Sequence, residues 1–164
     1  MRARFGLARC LEELGQTDDA IDHYQELLRL NPNDNQGVRD ILLPALLTTG
    51  RGDEAGALLE QFDDDINAIW KYGWALWTFR REGDIRIARD RLRAAVRANR
   101  HVPAYLTGQA EWPSPLPASY AYGSEEEAVL CANELVKAWR ATPGAEAWLT
   151  ASTLKAKPRT RRRR

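Results

Sequence analysis

The sequence predicts an all-α chain: a right-handed α-solenoid of helical hairpins, about three in number, then a Pro- and aromatic-rich segment and a degenerate terminal helix pair. Three observations carry this. Apolar residues recur at three- and four-residue spacing through nearly all of the first hundred positions. A Gly-x4-Ala pattern recurs three times, at Gly15–Ala20, Gly50–Ala55 and Gly83–Ala88, with glycines 35 and 33 residues apart. Each of these pairs has an apolar helical run on either side, and a period near 34 is the mark of stacked helical repeats.

The first run, "FGLARCLEEL", sets Phe5, Leu7, Ala8, Leu11 and Leu14 on helical spacing. Gly15 stops it, and Asp18 is a candidate N-cap for "DDAIDHYQELLRL", where Ala20, Ile21, Tyr24, Leu27, Leu28 and Leu30 recur. The stretch "RLNPNDNQG" has the oxygen-rich look of a calcium loop. Counted from Asn31, however, the sixth residue is Gln36 and the twelfth Leu42, where such a loop needs Gly and Glu. Pro32 cannot extend the helix before it, and Asn33, Asp34 and Asn35 offer cap oxygens to the helix after it. The stretch is a corner between hairpins. The second hairpin, about 36–66, holds Leu42, Leu46, Gly50, Ala55 and Leu59, with Pro44 expected to kink its first helix. The third, about 69–100, holds Tyr72, Leu76, Phe79, Gly83, Ala88, Leu92 and Ala95.

Residues 1–34 resemble one tetratricopeptide repeat. Leu7, Ala8, Leu11, Gly15, Ala20, Tyr24 and Pro32 stand at its Leu, Gly, aromatic, Gly, Ala, aromatic and Pro positions, while Arg4 replaces the usual Trp and Leu27 a small residue. The match weakens in the third unit and again in the second. The resemblance implies a groove lined by the first helix of each pair, which grips extended peptides in that family. A looser resemblance, over about 31–149, links "NPNDNQG", "RHVPAYL", "GSEEEA" and "PGAEAWL" to bacterial tetratricopeptide proteins related to the C-terminal part of the suppressor-of-tumorigenicity-7 family; it implies no established chemistry.

After residue 100 the pattern changes. The 101–123 segment carries Pro103, Pro113, Pro115 and Pro117 among Tyr105, Trp112, Tyr120 and Tyr122, a composition read as non-helical and too aromatic for a floppy linker. It is expected to lie along the solenoid with its aromatics inserted. Ser124 and Glu127 read as a capping box for the next helix, and Pro143 as the start of the last one, so 124–154 forms a terminal pair. The basic tail, 155–164, is expected to be solvated and disordered. The chain opens inside a repeat, which suggests a longer array or self-association through the open N-terminal hairpin.

Composition narrows the function. No apolar run reaches the ~18–20 residues of a membrane helix, and no signal peptide is read at the N-terminus, so a cytoplasmic protein without a membrane partner is expected. Cys10 and Cys131 stand alone in helical contexts and are expected to be buried. The tail holds seven of the 24 Lys and Arg, leaving 17 bases against 23 acids elsewhere, a net charge of −6 for the body. No nucleophile motif, phosphate loop or metal-ligand spacing occurs. His23 is expected in solvent and His101 at a helix end. The paired carboxylates sit near helix starts, where capping explains them. No enzyme, cofactor or metal site is expected.

The candidate binding residues lie in "IWKYGWALWTFRR". Trp70, Trp74 and Trp77 share one helix face, Arg80 and Arg81 follow, and Arg2, Phe5 and Arg9 are comparable in the first unit. Two readings stand side by side: an aromatic groove for an extended peptide with acidic or aromatic side chains, or a face covered by the Pro/Tyr segment. The function expected is a non-catalytic protein-interaction scaffold. The alternative is association with nucleic acid or an acidic partner through the Arg tail.

Overall fold

A computed structural model describes residues 2–155, with the side chains of 154 and 155 excepted. The tail from residue 156 lies outside the described residues. Nine helices and no strand are found among the described residues: α1 (Arg2–Glu13), α2 (Thr17–Leu30), α3 (Arg39–Thr48), α4 (Gly52–Gln61), α5 (Ala68–Glu82), α6 (Arg86–Ala98), α7 (Val102–Leu106), α8 (Glu125–Arg140) and α9 (Ala145–Lys155). Consecutive helices pack in pairs, α1 on α2, α3 on α4 and α5 on α6, and each pair meets the next through α2–α3 and α4–α5.

The three period-marking glycines turn the chain inside these pairs. Gly15, Gly50 and Gly83 have φ of 77°, 77° and 73°, a left-handed conformation that costs a side chain but not glycine. The alanines five residues on, Ala20, Ala55 and Ala88, are fully buried, and their small size lets the paired helices approach. Asp18 does not cap α2: Gln16 holds the N-cap position without a side-chain bond, and Asp18 stays exposed in the first turn.

The corner in "RLNPNDNQG" is built around Asp34, itself at φ 47°. Its carboxylate accepts from Val38 N (2.8 Å) and Arg39 N (2.9 Å), so it satisfies donors at the start of α3. The next corner uses Asn67, whose side chain accepts from Trp70 N at the start of α5. Arg39 ties the corners together, reaching Asp34 at 3.1 Å and Asp65 at 2.8 Å.

The C-terminal part departs from the expectation. Residues 102–106 form the short helix α7, with a proline in its first turn, where the missing N–H costs nothing. Of the segment's aromatics only Tyr105 is buried; Trp112, Tyr120 and Tyr122 are exposed. The element laid against α3 and α5 is α8. Ala128, Ala132 and Ala138 are fully buried on it, and these small side chains allow the close approach that a proline-studded strand with bulky rings cannot make. Its apolar face also includes Cys131, Leu135 and Trp139. An aromatic series then locks α8 and α9 to α5: Tyr72 lies 6.4 Å from Trp139, Trp139 lies 6.3 Å from Trp148, and Phe79 stacks on Trp148 at 4.4 Å.

The capping box is half formed. Ser124 Oγ accepts from Glu127 N at 3.2 Å, but Glu127 does not reach back to Ser124 N. Buried, it accepts from Gly123 N (2.6 Å), from Ala68 N at the head of α5 (3.1 Å) and from Asn99 Nδ2 past the end of α6 (2.9 Å). One carboxylate thus joins three elements, and charge-assisted bonds of this kind are the strong ones. Cys131 is buried as expected, whereas Cys10 is exposed: among the described residues no helix covers the outer face of α1, where Leu7 also lies open, as does Leu14 just past the helix end.

Candidate functional site

The tryptophan helix does not present an open face. Trp70 is fully buried with its ring edge against Phe62, and Trp74 is 5 % exposed. Trp77, half-buried, donates through Nε1 to Gly52 O at 2.6 Å and presses on Gly56, where an added Cβ would lie 2.6 Å from the ring. Trp70 and Trp77 therefore pack on the second hairpin and Trp74 lies against Trp77 and Arg91 of α6, while Tyr72 and Phe79 of α5 lie against Trp139 of α8 and Trp148 of α9.

The two following arginines split. Arg80 donates to the carbonyls of Leu47 and Ala138 and to Thr142 Oγ1. It thereby satisfies carbonyls near the C-termini of α3 and α8, and burial pushes its guanidinium down from the usual range. Arg81 lies over the Trp77 ring at 5.0 Å and pairs with exposed Asp53 at 2.9 Å. Of the five residues of this helix expected to bind, Trp77 and Arg81 form the edge offered outward.

Because α8 fills the space over α3 and α5, the part of that face left open is a cleft between α1 and α8. It measures about 320 Å³; its floor is Pro44, Ala45 and Thr48 of α3, with Arg9 and Glu12 on one wall and Glu134 and Lys137 on the other. Arg9 pairs with Glu12 at 3.2 Å, and Tyr24 donates to the same carboxylate at 3.0 Å. Burial and the Glu12 charge push the Tyr24 hydroxyl far up, so it stays a donor. Glu134 is half-buried and forms no ion pair among the described residues; burial raises its carboxyl above the usual range, with Arg9 opposing. Of the other residues expected to bind in the first unit, Phe5 is half-buried against the Tyr24 ring at 6.2 Å and Arg2 is exposed. The eight expected residues are thus not one surface: Arg9 lines this cleft, and Trp70 and Trp74 belong to the core.

Nothing in the sequence pattern singled out Glu134 and Lys137. The signal that could have found them is the long apolar stripe of α8, too wide for a peripheral helix, which implies that α8 lies on the other helices and brings its polar edge against α1. The two histidines stay apart from the cleft: His23 is half-buried on α2, and His101 precedes α7. Among the described residues no group of three or more His, Cys, Asp or Glu is placed to hold a metal ion, and no helix is long and apolar enough to cross a membrane.

No curated protein and no solved structure matches the chain significantly. Residues 1–34, the α1–α2 hairpin, match the family model of the tetratricopeptide repeat, which supports a place for that hairpin in a tetratricopeptide repeat family.

Proposed function

We propose that this chain is a non-catalytic protein-interaction module, a short solenoid of about three hairpins whose concave face is mostly closed by its own α8. Tetratricopeptide motifs generally mediate protein–protein interaction. The observation that carries the site is Glu134, a half-buried carboxylate without an ion-pair partner among the described residues, facing a cleft whose other acids are Glu12 and Glu13. A buried-edge carboxylate gains when a cation or amide reaches it. The occupant that fits is a short extended segment bearing a Lys, Arg or amide side chain, held between α1 and α8. This reverses the charge preference expected for an open tryptophan groove. Arg9 stays in the site, Arg2 and Phe5 have no part in it, and the Trp77–Arg81 edge is a separate outward contact. The looser suppressor-of-tumorigenicity-7 resemblance is not supported and carries no part of this reading, nor does the basic tail.

A displayed library of linear peptides, selected against the full chain, tests the proposal. Selected peptides are expected to contain a basic or amide position and to bind Glu134→Lys at least about tenfold more weakly, a loss of about 1.4 kcal/mol. Arg81→Ala should leave their affinity unchanged. Failure to select any peptide above background, or equal affinity for Glu134→Lys, overturns the cleft.

A further inference from the structure

The α6 helix carries a second surface. Arg86, Arg89, Arg93 and Arg97 recur at three- and four-residue spacing, which places them on one helix face. All four are exposed, as is Arg100 just beyond the helix end. The row runs for about 16 Å at the 1.5 Å rise of an α-helix. Stability does not explain it. The first turn of α6 contains Arg86 and no acid, the wrong sign for the positive end of a helix dipole. Two exposed carboxylates serve three of the arginines: Asp84 meets Arg89 at 2.7 Å, and Asp90 meets Arg93 and, at 3.8 Å, Arg86. Such exposed pairs contribute little. Arg97 and Arg100 form no ion pair among the described residues. The remaining arginine of the helix shows the contrast: Arg91 points the other way and lies 3.6 Å over the Trp74 ring, a packing role.

The surroundings add to the charge. Helix α9 packs on α6, and a largely apolar cleft of about 210 Å³ runs beside the row, bounded by Leu92, Arg93, Val96, Arg97 and Ser152. On a body of net charge −6 this is a local reversal of sign, and a linear one.

We propose that the outer face of α6 binds the phosphate backbone of single-stranded nucleic acid, with Arg86, Arg89, Arg93 and Arg97 as phosphate contacts and the adjoining cleft receiving a base. Guanidinium forks match phosphate oxygens in pairs, which a lysine cannot do. A row of this length spans several phosphates, and an apolar slot rimmed by arginines suits an unstacked base. An anionic membrane fits less well, because a lipid surface calls for apolar side chains interleaved with the basic ones. On α6 the exposed apolar residue, Ile87, lies at the N-terminal end and Ile85 precedes the helix.

The test uses the full chain and labelled probes of about 20 nucleotides: poly(dT), poly(rU) and a mixed-sequence duplex, titrated by fluorescence anisotropy at several salt concentrations. Single strands are expected to bind at low salt with log K falling against log salt by about 0.7 per phosphate contacted. Arg93→Gln with Arg97→Gln should weaken binding about tenfold and flatten that slope by about 1.4, while circular dichroism and Tm stay at wild-type values. A full-length variant with Arg161, Arg162, Arg163 and Arg164 changed to Gln keeps a component of binding that the α6 substitutions remove. Three results overturn the proposal: binding that depends on the tail arginines alone, tighter binding of the duplex than of either single strand, or stronger binding to phosphatidylserine vesicles with the same α6 dependence.

Discussion

The first and third hairpins share one pattern and meet different fates. In the first, where the repeat motif is most complete, α1 buries a single residue, Ala8. In the third, where the motif is less complete, α5 buries eight, from Ala68 to Thr78. The motif residues account for contact within a hairpin: Ala8, Ala20 and Tyr24 are fully buried in the first as their positions require. They do not say how many neighbours the hairpin has. α5 is covered by α3, α4, α6 and α8, while α1 packs mainly on α2, and hydrophobic stabilisation follows the area removed from water. The N-terminal hairpin is therefore the weakly held end, and α5–α8 is the centre of the core.

The sharpest way to break this comparison is to cut the side chain that joins α8 to α5. Trp139 is fully buried between Tyr72 and Trp148, and replacing a buried aromatic by Ala costs about 3–5 kcal/mol through lost burial and the cavity left behind. Trp139→Ala is expected to lose that much in urea unfolding, whereas Leu14→Ala, at a side chain 76 % exposed on the outer side of the first hairpin, should change stability by less than about 0.5 kcal/mol. Similar losses at both sites would refute the ranking.

A second effect isolates the corner beside α5. Asp40 is pushed up to about 6 by burial, against the favourable bond from Asn67 Nδ2 at 3.1 Å and the nearby Arg39, with Asp34 and Asp65 adding repulsion. A carboxyl whose folded pKa lies above its unfolded value of about 3.9 binds its proton more tightly in the folded state. Its contribution is most favourable below pH 4, declines as pH rises towards 6 and is at full cost above that. The wild type minus Asp40→Asn difference in unfolding free energy should therefore fall by on the order of 2 kcal/mol between pH 4 and pH 7. A flat difference would mean that Asp40 is solvated in the folded chain.

Much of the architecture was legible because it is local. Glycines at positive φ, the alanines they precede and the corner at Asp34 each announce themselves within a few residues. The placement of α8 was not, since it depends on contacts between residues some sixty positions apart: Glu127 with Ala68 N, or Arg80 with Ala138 O. The tryptophan face illustrates the same limit. Helical spacing puts Trp70, Trp74 and Trp77 on one side of α5, but which neighbours that side meets is decided by Gly56 and Phe62 of the second hairpin and by Arg91 of α6. The cleft is lined by residues far apart in the sequence, Arg9 and Glu12 of α1 with Glu134 and Lys137 of α8, so its Glu134 had no local signature.

The smallest expected effect is a chemical one, and it reports on both regions at once. Cys10 is exposed on α1, while Cys131 is buried on α8, where burial and the nearby acids Glu127, Asp40 and Glu134 push its thiol well above the usual range. A thiolate is the reactive form, so Cys131 is doubly protected, by access and by protonation. A disulfide-exchange reagent should label one thiol per chain within the mixing phase under native conditions and the second only as the protein opens. Raising urea should leave the Cys10 rate nearly constant and increase the Cys131 rate in step with the global unfolding equilibrium, as expected for a residue in the most protected unit. Trp139→Ala should release Cys131 at lower urea, and Leu14→Ala should not. Fast labelling of both thiols in the native state would show that α8 detaches without unfolding, and the contrast between the N-terminal hairpin and the α5–α8 core would then lie in their dynamics and not in how deeply each is buried.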